Sequence, residues 1–166
     1  MSSQRWPTPP EVLVVDDQDL MRVSLEETLR QAGYAVTTAS SGSGALAALE
    51  ARPAEVLVTD LKMPGMDGLG LTRAAAERWP EMPVVVITAH GSIETAVEAM
   101  RRGAFDYVQK PFEPAEIELV VARALERRRL TQENQALRRQ VMLDGSRPII
   151  GSSAAMQALG RQIEQV

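Results

Sequence analysis

Short valine-rich runs at residues 12–15, 56–58 and 84–87 recur along the chain, with longer stretches of helical period between them. A run of about four apolar residues without polar alternation is buried on both faces, and strands joined through amphipathic helices lie parallel. Five βα units are predicted. The strands fall at 12–15, 35–39, 56–60, 84–87 with Thr88 following, and 106–109. The helices fall near 20–32, through Leu46 and Leu49 up to Pro53, at 69–79, from a Ser92 cap through Met100, and from Ala115 onward. Leu25, Leu29 and Ala32 share a helical face that Gly33 terminates, and Ile93, Ala96, Val97 and Met100 repeat at i, i+3, i+4 and i+7 before Arg101, Arg102 and Gly103. The stretch 63–68 is dense in glycine, proline and aspartate and reads as a loop.

In a parallel sheet every strand ends at the same edge, so residues that close separate runs converge there. Asp16-Asp17 follow the first run, Thr59-Asp60 close the third, Thr88 closes the fourth, and Lys110-Pro111 follow the fifth. Taken singly, an Asp-Asp pair is often a helix cap, Thr88 a loop residue and Lys110 a surface lysine. All of them in this order, each after an apolar run, make a site. Two carboxylates ~4 Å apart repel by roughly 4 kcal/mol at an effective dielectric of about 20, so three of them need a counter-cation or a shared proton. Magnesium suits all-oxygen ligands with phosphate nearby. Asp60, before an open turn, is the candidate nucleophile toward phosphorus, and Asp16 and Asp17 are candidate cation anchors. Lys110 and Thr88 would read the phosphoryl oxygens. The X-Pro bond at Lys110-Pro111 can adopt the cis form and turn the lysine inward.

Composition removes competing chemistries. The chain has 166 residues and 45% hydrophobic content, enough for one core and a tail, and its net charge of −4 argues against coating nucleic acid over the whole surface. With no cysteine there is no disulfide, thiolate or cysteine-ligated metal, and His90 alone builds no histidine site. Neither a secretory leader nor a membrane-spanning stretch stands at the N-terminus, and a cytoplasmic protein is expected.

From 115 to 143 there is neither proline nor glycine, and Ile117, Val121 and Ala124 are placed to cover the sheet. Beyond them Leu130, Asn134, Leu137 and Val141 fall at d, a, d and a positions of a heptad, with Glu133 at g and Arg138 at e. A coiled-coil dimer is expected, with Asn134 favouring one parallel register. Residues 144–148 close the helix, and 149–166 carry a short amphipathic pattern in Met156, Leu159 and Ile163.

The segments Val12-Leu13-Val14-Val15-Asp16-Asp17, Thr59-Asp60-Leu61-Lys62-Met63-Pro64-Gly65-Met66-Asp67-Gly68, Ile87-Thr88-Ala89 and Lys110-Pro111-Phe112 resemble the receiver domain of two-component response regulators. Residues 90–107 are similar to receivers of NtrC-type activators of sigma-54 RNA polymerase, and 149–157 resemble the opening of their AAA+ ATPase domain. The resemblance implies an α/β, flavodoxin-like (CheY-like) doubly wound sheet of strand order 2-1-3-4-5 with an extended C-terminal linker helix. It implies that Asp60 is phosphorylated by a sensor histidine kinase, that Mg²⁺ is held by Asp17, Asp60, Asp16 partly through water and the Lys62 carbonyl, and that Thr88 and Tyr107 form the switch. The expected organisation is a disordered segment 1–10, a receiver at 11–127, a dimerising linker helix at 128–147 and the start of an AAA+ domain at 148–166. Such a domain is a phosphoacceptor with self-phosphorylation and autodephosphorylation chemistry rather than a turnover enzyme. Contacts with sigma-54 polymerase and DNA would belong to domains outside this sequence, and no membrane partner is implied. Two rivals are a haloacid-dehalogenase-like phosphohydrolase built on Asp17 and Asp19, and an unphosphorylated dimerisation module.

Overall fold

A computed structural model describes residues 7–89 and 93–145. Five parallel strands, β1 (Glu11–Val15), β2 (Ala35–Ala39), β3 (Val56–Asp60), β4 (Val84–Thr88) and β5 (Asp106–Gln109), form one sheet in the order β2-β1-β3-β4-β5. Between and after them run α1 (Asp19–Gln31), α2 (Gly42–Ala51), α3 (Gly68–Arg78), α4 (Ile93–Arg101) and α5 (Pro114–Gly145). This is the doubly wound architecture and strand order expected from the resemblance.

Strand periodicity divides the core in two. Val12, Val14, Val56, Val58, Val85, Ile87 and Val108 join Leu25 and Leu29 of α1 and Ile117, Val121 and Ala124 of α5 on one face. The alternate residues Leu13, Val15, Leu57, Val84 and Val86 join Ala45 and Leu49 of α2, Leu71 and Ala75 of α3 and Ala99 of α4 on the other. Every residue of β3 and β4 is buried, whereas the edge strands β2 and β5 each expose at least one. Edge placement explains the weaker apolar signature of residues 35–39. Gly33 and Gly103 take positive φ of 105° and 109° and close α1 and α4 with the same pair of bonds. In α1 these run from Gly33 N–H to the Arg30 carbonyl (3.0 Å) and from Tyr34 N–H to the Leu29 carbonyl (3.1 Å).

The apolar repeat of α4 falls differently from the sequence expectation. Ala96 and Ala99 are buried, while Ile93, Val97 and Met100 are 63%, 46% and 41% exposed. The helix sits on the sheet through alanines, and its larger side chains flank the contact. Helix boundaries shift by a residue or so from those inferred, within the ambiguity of fraying ends.

The chain divides into two units between Leu130 and Thr131. In the second, the described residues are helical up to Gly145, with Leu137, Val141, Met142 and Leu143 exposed. The expected Ser92 cap, the His90 loop, residues 1–6 and the 146–166 segment lie outside the described residues. Among the described residues, no helix is long and apolar enough to cross a membrane.

Two neighbours on α5 test this packing. Ile117 is fully buried and Leu119 is 57% exposed. Ile117→Ala is expected to cost about 2–5 kcal/mol in denaturant unfolding, and Leu119→Ala to stay within about 0.5 kcal/mol.

Candidate functional site

The carboxyl ends of β1, β3, β4 and β5 bring the expected residues to one edge. Asp16 follows β1, where its N–H donates to the Ala39 carbonyl (3.2 Å), and it is fully buried. Its Oδ1 accepts from Gln18 N–H (2.8 Å), and its Oδ2 is buried with no hydrogen-bond partner among the described residues. Asp17 is exposed. Asp60 ends the central strand β3, is 7% exposed, and has Lys110 Nζ 3.3 Å from its Oδ1. Carboxylate oxygens of Asp16, Asp17 and Asp60 lie within 4.8 Å of one another.

The electrostatics are unfavourable as they stand. Burial raises the Asp16 carboxyl above its ordinary value, the Gln18 N–H opposes this, and the Asp60 charge adds to it. Burial raises Asp60 as well, against the pull of Lys110. One ammonium does not offset three carboxylates. A hard divalent cation would satisfy both the excess charge and the unpartnered Asp16 oxygen, and the donors present are all oxygen. The residues therefore fit Mg²⁺. Lys62 lines the same cleft, together with Asp17, Asp60, Lys110, Ala89 and Thr95.

Thr88 ends β4 with its hydroxyl buried and without a partner among the described residues, while its carbonyl accepts from Lys110 N–H (2.8 Å). The Lys110–Pro111 peptide bond is cis. Tyr107 stands opposite Val86 in the ladder and is 39% exposed at the surface, whereas the next residue, Val108, faces the core. The cluster thus gathers Asp16, Asp17, Asp60 and Lys110, with Thr88 ending the adjacent strand and Tyr107 lying at the periphery.

The bland alternatives are not realised. The N-cap of α1 is Gln18, which makes no side-chain cap bond, so the Asp16-Asp17 pair does not cap that helix. Asp19 lies in the first turn of α1 and pairs with Arg22 (2.5 Å), outside the carboxylate cluster. The Asp17-x-Asp19 pair that a dehalogenase-like hydrolase requires is therefore not assembled.

Gly68 has a role beyond that of a turn former. A Cβ there would lie 2.3 Å from the Asp60 carbonyl oxygen and 2.6 Å from Leu61 Cα. Its N–H donates to the Leu61 carbonyl (2.8 Å), and Asp67 caps α3 through Gly70 N–H (2.8 Å). The start of α3 thus presses directly on the backbone that carries Asp60. A glycine immediately after a capping aspartate was the available signal.

Residues 12–122 match the response regulator receiver domain, and the chain belongs to that family. Among characterised relatives it is 37% identical over 159 residues to the C4-dicarboxylate transport transcriptional regulatory protein DctD of Rhizobium meliloti (strain 1021), spanning 95% of this chain and 34% of that protein. It is 41% identical to the DNA-binding transcriptional regulator NtrC of Escherichia coli (strain K12), spanning 92% and 32%. The structure of NtrX from Brucella abortus superimposes with a TM-score of 0.77 at 38% identity, covering 96% of this chain and 35% of that one. The isolated NtrX receiver domain from the same organism gives 0.68 at 42% identity, covering 69% and 98%. The chain is an NtrC/DctD/NtrX-type response regulator receiver and spans about a third of the length of these curated relatives.

The raised carboxyls have a measurable consequence. Because Asp16 titrates above 3.8 when folded, its charge destabilises the metal-free fold at neutral pH, and that penalty disappears below the unfolded value of 3.8. Asp16→Asn is expected to raise the thermal midpoint of the metal-free protein by a few degrees, corresponding to about 1 kcal/mol, around neutral pH. The gain should fade as the pH falls toward the ordinary carboxylate value.

Proposed function

We propose that this chain is a phosphorylation-controlled receiver in which Asp60 accepts a phosphoryl group from the phosphohistidine of a sensor kinase. The observation that carries the reading is the placement of Asp60: nearly buried at the end of the central strand, 3.3 Å from Lys110 Nζ, and clustered with two further carboxylates. A carboxylate oxygen of Asp60 attacks phosphorus, the P–N bond breaks, and the electron pair leaves with the imidazole nitrogen. Asp16, Asp17, Asp60 and the Lys62 carbonyl would hold Mg²⁺, Asp16 partly through water. The cation would supply charge neutralisation for the incoming phosphoryl oxygens. Lys110 adds a fixed positive charge at Asp60, and the Thr88 hydroxyl, buried without a partner, is available to donate to a phosphoryl oxygen.

The switch follows from that unpartnered hydroxyl. Drawn toward the phosphoryl group, Thr88 vacates space between β4 and β5 that the surface ring of Tyr107 enters, which reshapes the face around α4 and β5. The product is a mixed anhydride that water hydrolyses, so the signal is temporary and the domain is not a turnover enzyme. Exposed Leu137 and Val141 support dimerisation of the linker at 128–147, and receiver repacking would pass the signal toward an AAA+ domain beginning at 148–166. In a protein as long as its relatives, that output is control of a sigma-54 activator ATPase and transcription in the cytoplasm. Polymerase and DNA would be contacted by parts outside this sequence.

Incubation of the chain with acetyl phosphate and Mg²⁺ is expected to add the mass of one phosphoryl group, and Asp60→Asn should abolish the gain. Chelation of the metal should suppress it in the wild type. Label that persists in Asp60→Asn would move the acceptor elsewhere, and an unreactive wild type would leave only the dimerisation module.

A further inference from the structure

The link that carries two of the three carboxylates is braced from α1. Without a side-chain cap at Gln18, the first turn is closed by Arg22, one turn into the helix. Its Nη1 donates to the Asp16 carbonyl oxygen (2.8 Å), and its Nη2 lies 2.5 Å from Asp19 Oδ1. The Arg22 side chain is only 19% exposed, although its partner Asp19 is 84% exposed. Within the link, Gln18 N–H donates to Asp16 Oδ1 (2.8 Å). Asp16 is therefore gripped at both ends, its carbonyl by a guanidinium and its carboxylate by a backbone amide.

The carbonyl is the informative half. The Asp16 C=O belongs to the peptide plane whose other end is the Asp17 Cα, so fixing its direction fixes where the Asp17 side chain leaves the main chain. Asp17 is exposed and lacks the enclosing packing that holds Asp16 and Asp60. We infer that Arg22 is a positioning residue for the cation site: by holding the Asp16–Asp17 peptide plane it presets the Asp17 carboxylate toward Asp16 and Asp60. The inference rests on the reading of the cluster as a magnesium site.

Charge alone gives the opposite sign. Arg22 is a cation close to a cation site, and deleting it should on Coulomb grounds tighten Mg²⁺ binding. Loss of a group that orients a ligand weakens binding, by about 10- to 100-fold in metal sites generally. The two accounts separate without ambiguity.

The test is a Mg²⁺ titration of the full chain, followed by backbone amide shifts of Asp17, Gln18 and Leu61, for wild type, Arg22→Ala and Arg22→Lys, with Asp17→Asn as control. Arg22→Ala is expected to raise the Mg²⁺ dissociation constant about 10-fold or more and to shift the metal-free Asp17 amide. Arg22→Lys, which keeps one donor and the charge, should recover part of the affinity. Should Arg22→Ala fail to fold, Arg22→Met keeps the aliphatic packing and carries the same expectation. Affinity unchanged or tightened in a folded variant overturns the positioning role while Asp17→Asn still abolishes binding. A wild type that shows no Mg²⁺ response, or an Asp17→Asn that binds as well as wild type, removes the site itself and the inference with it.

Discussion

Mutual repulsion among three carboxylates, two of them buried, is the constraint on which the rest of this structure depends. Asp16, Asp17 and Asp60 bring oxygens within 4.8 Å of one another, and Lys110 Nζ pairs with one of them, Asp60, at 3.3 Å. Left to themselves these groups would separate or protonate. Separation is blocked, because each is attached at or next to the end of a strand whose position is set elsewhere, and burial together with the neighbouring charges instead raises the Asp16 and Asp60 carboxyls above their ordinary value. The cost is a local destabilisation that a cation and a phosphoryl group can relieve, and that relief makes the site responsive.

The apparatus that holds the carboxylates in place is apolar. β3 is buried along its whole length, with alternate residues entering two separate cores. A shift of β3 along its axis would disturb both faces at once, so Asp60 cannot retreat from its neighbours. Gly68 adds a second restraint, since its close approach to the Asp60 carbonyl sets the first turn of α3 against the strand end. Thr88 and Lys110 are tied by the bond between the Lys110 N–H and the Thr88 carbonyl, which couples the ends of β4 and β5.

Much of this was legible in the sequence, for a simple reason. A buried parallel strand requires a continuous apolar run, and a polar residue that ends such a run is placed by topology alone. Asp16, Asp17, Asp60 and Thr88 could therefore be assigned to one edge from the sequence, whereas Lys110 follows the edge strand β5, whose Asp106-Tyr107-Val108-Gln109 is not a continuous apolar run, and was marked by its Lys-Pro pair. Helix faces were less legible. The repeat Ile93, Val97 and Met100 has the right period for a core face, but period does not reveal how close a helix lies to its sheet, and α4 buries Ala96 and Ala99 instead. Contacts that depend on backbone proximity were barely legible. Nothing in the local pattern around Arg22 marks it as the residue that reaches the Asp16 carbonyl, and Gly68 read only as a turn former. Long-range ion pairs such as Arg52 with Glu11 and Arg123 with Asp106 likewise carry no sequence signature.

The most direct measurement of the central claim is the thermal midpoint of the full chain as a function of Mg²⁺ concentration at neutral pH. If the cluster is a strained cation site, the midpoint rises with the logarithm of the Mg²⁺ concentration, as for a ligand bound only by the folded state, and the rise is lost in Asp17→Asn. A midpoint indifferent to Mg²⁺, or one that rises equally in wild type and Asp17→Asn, would contradict the account.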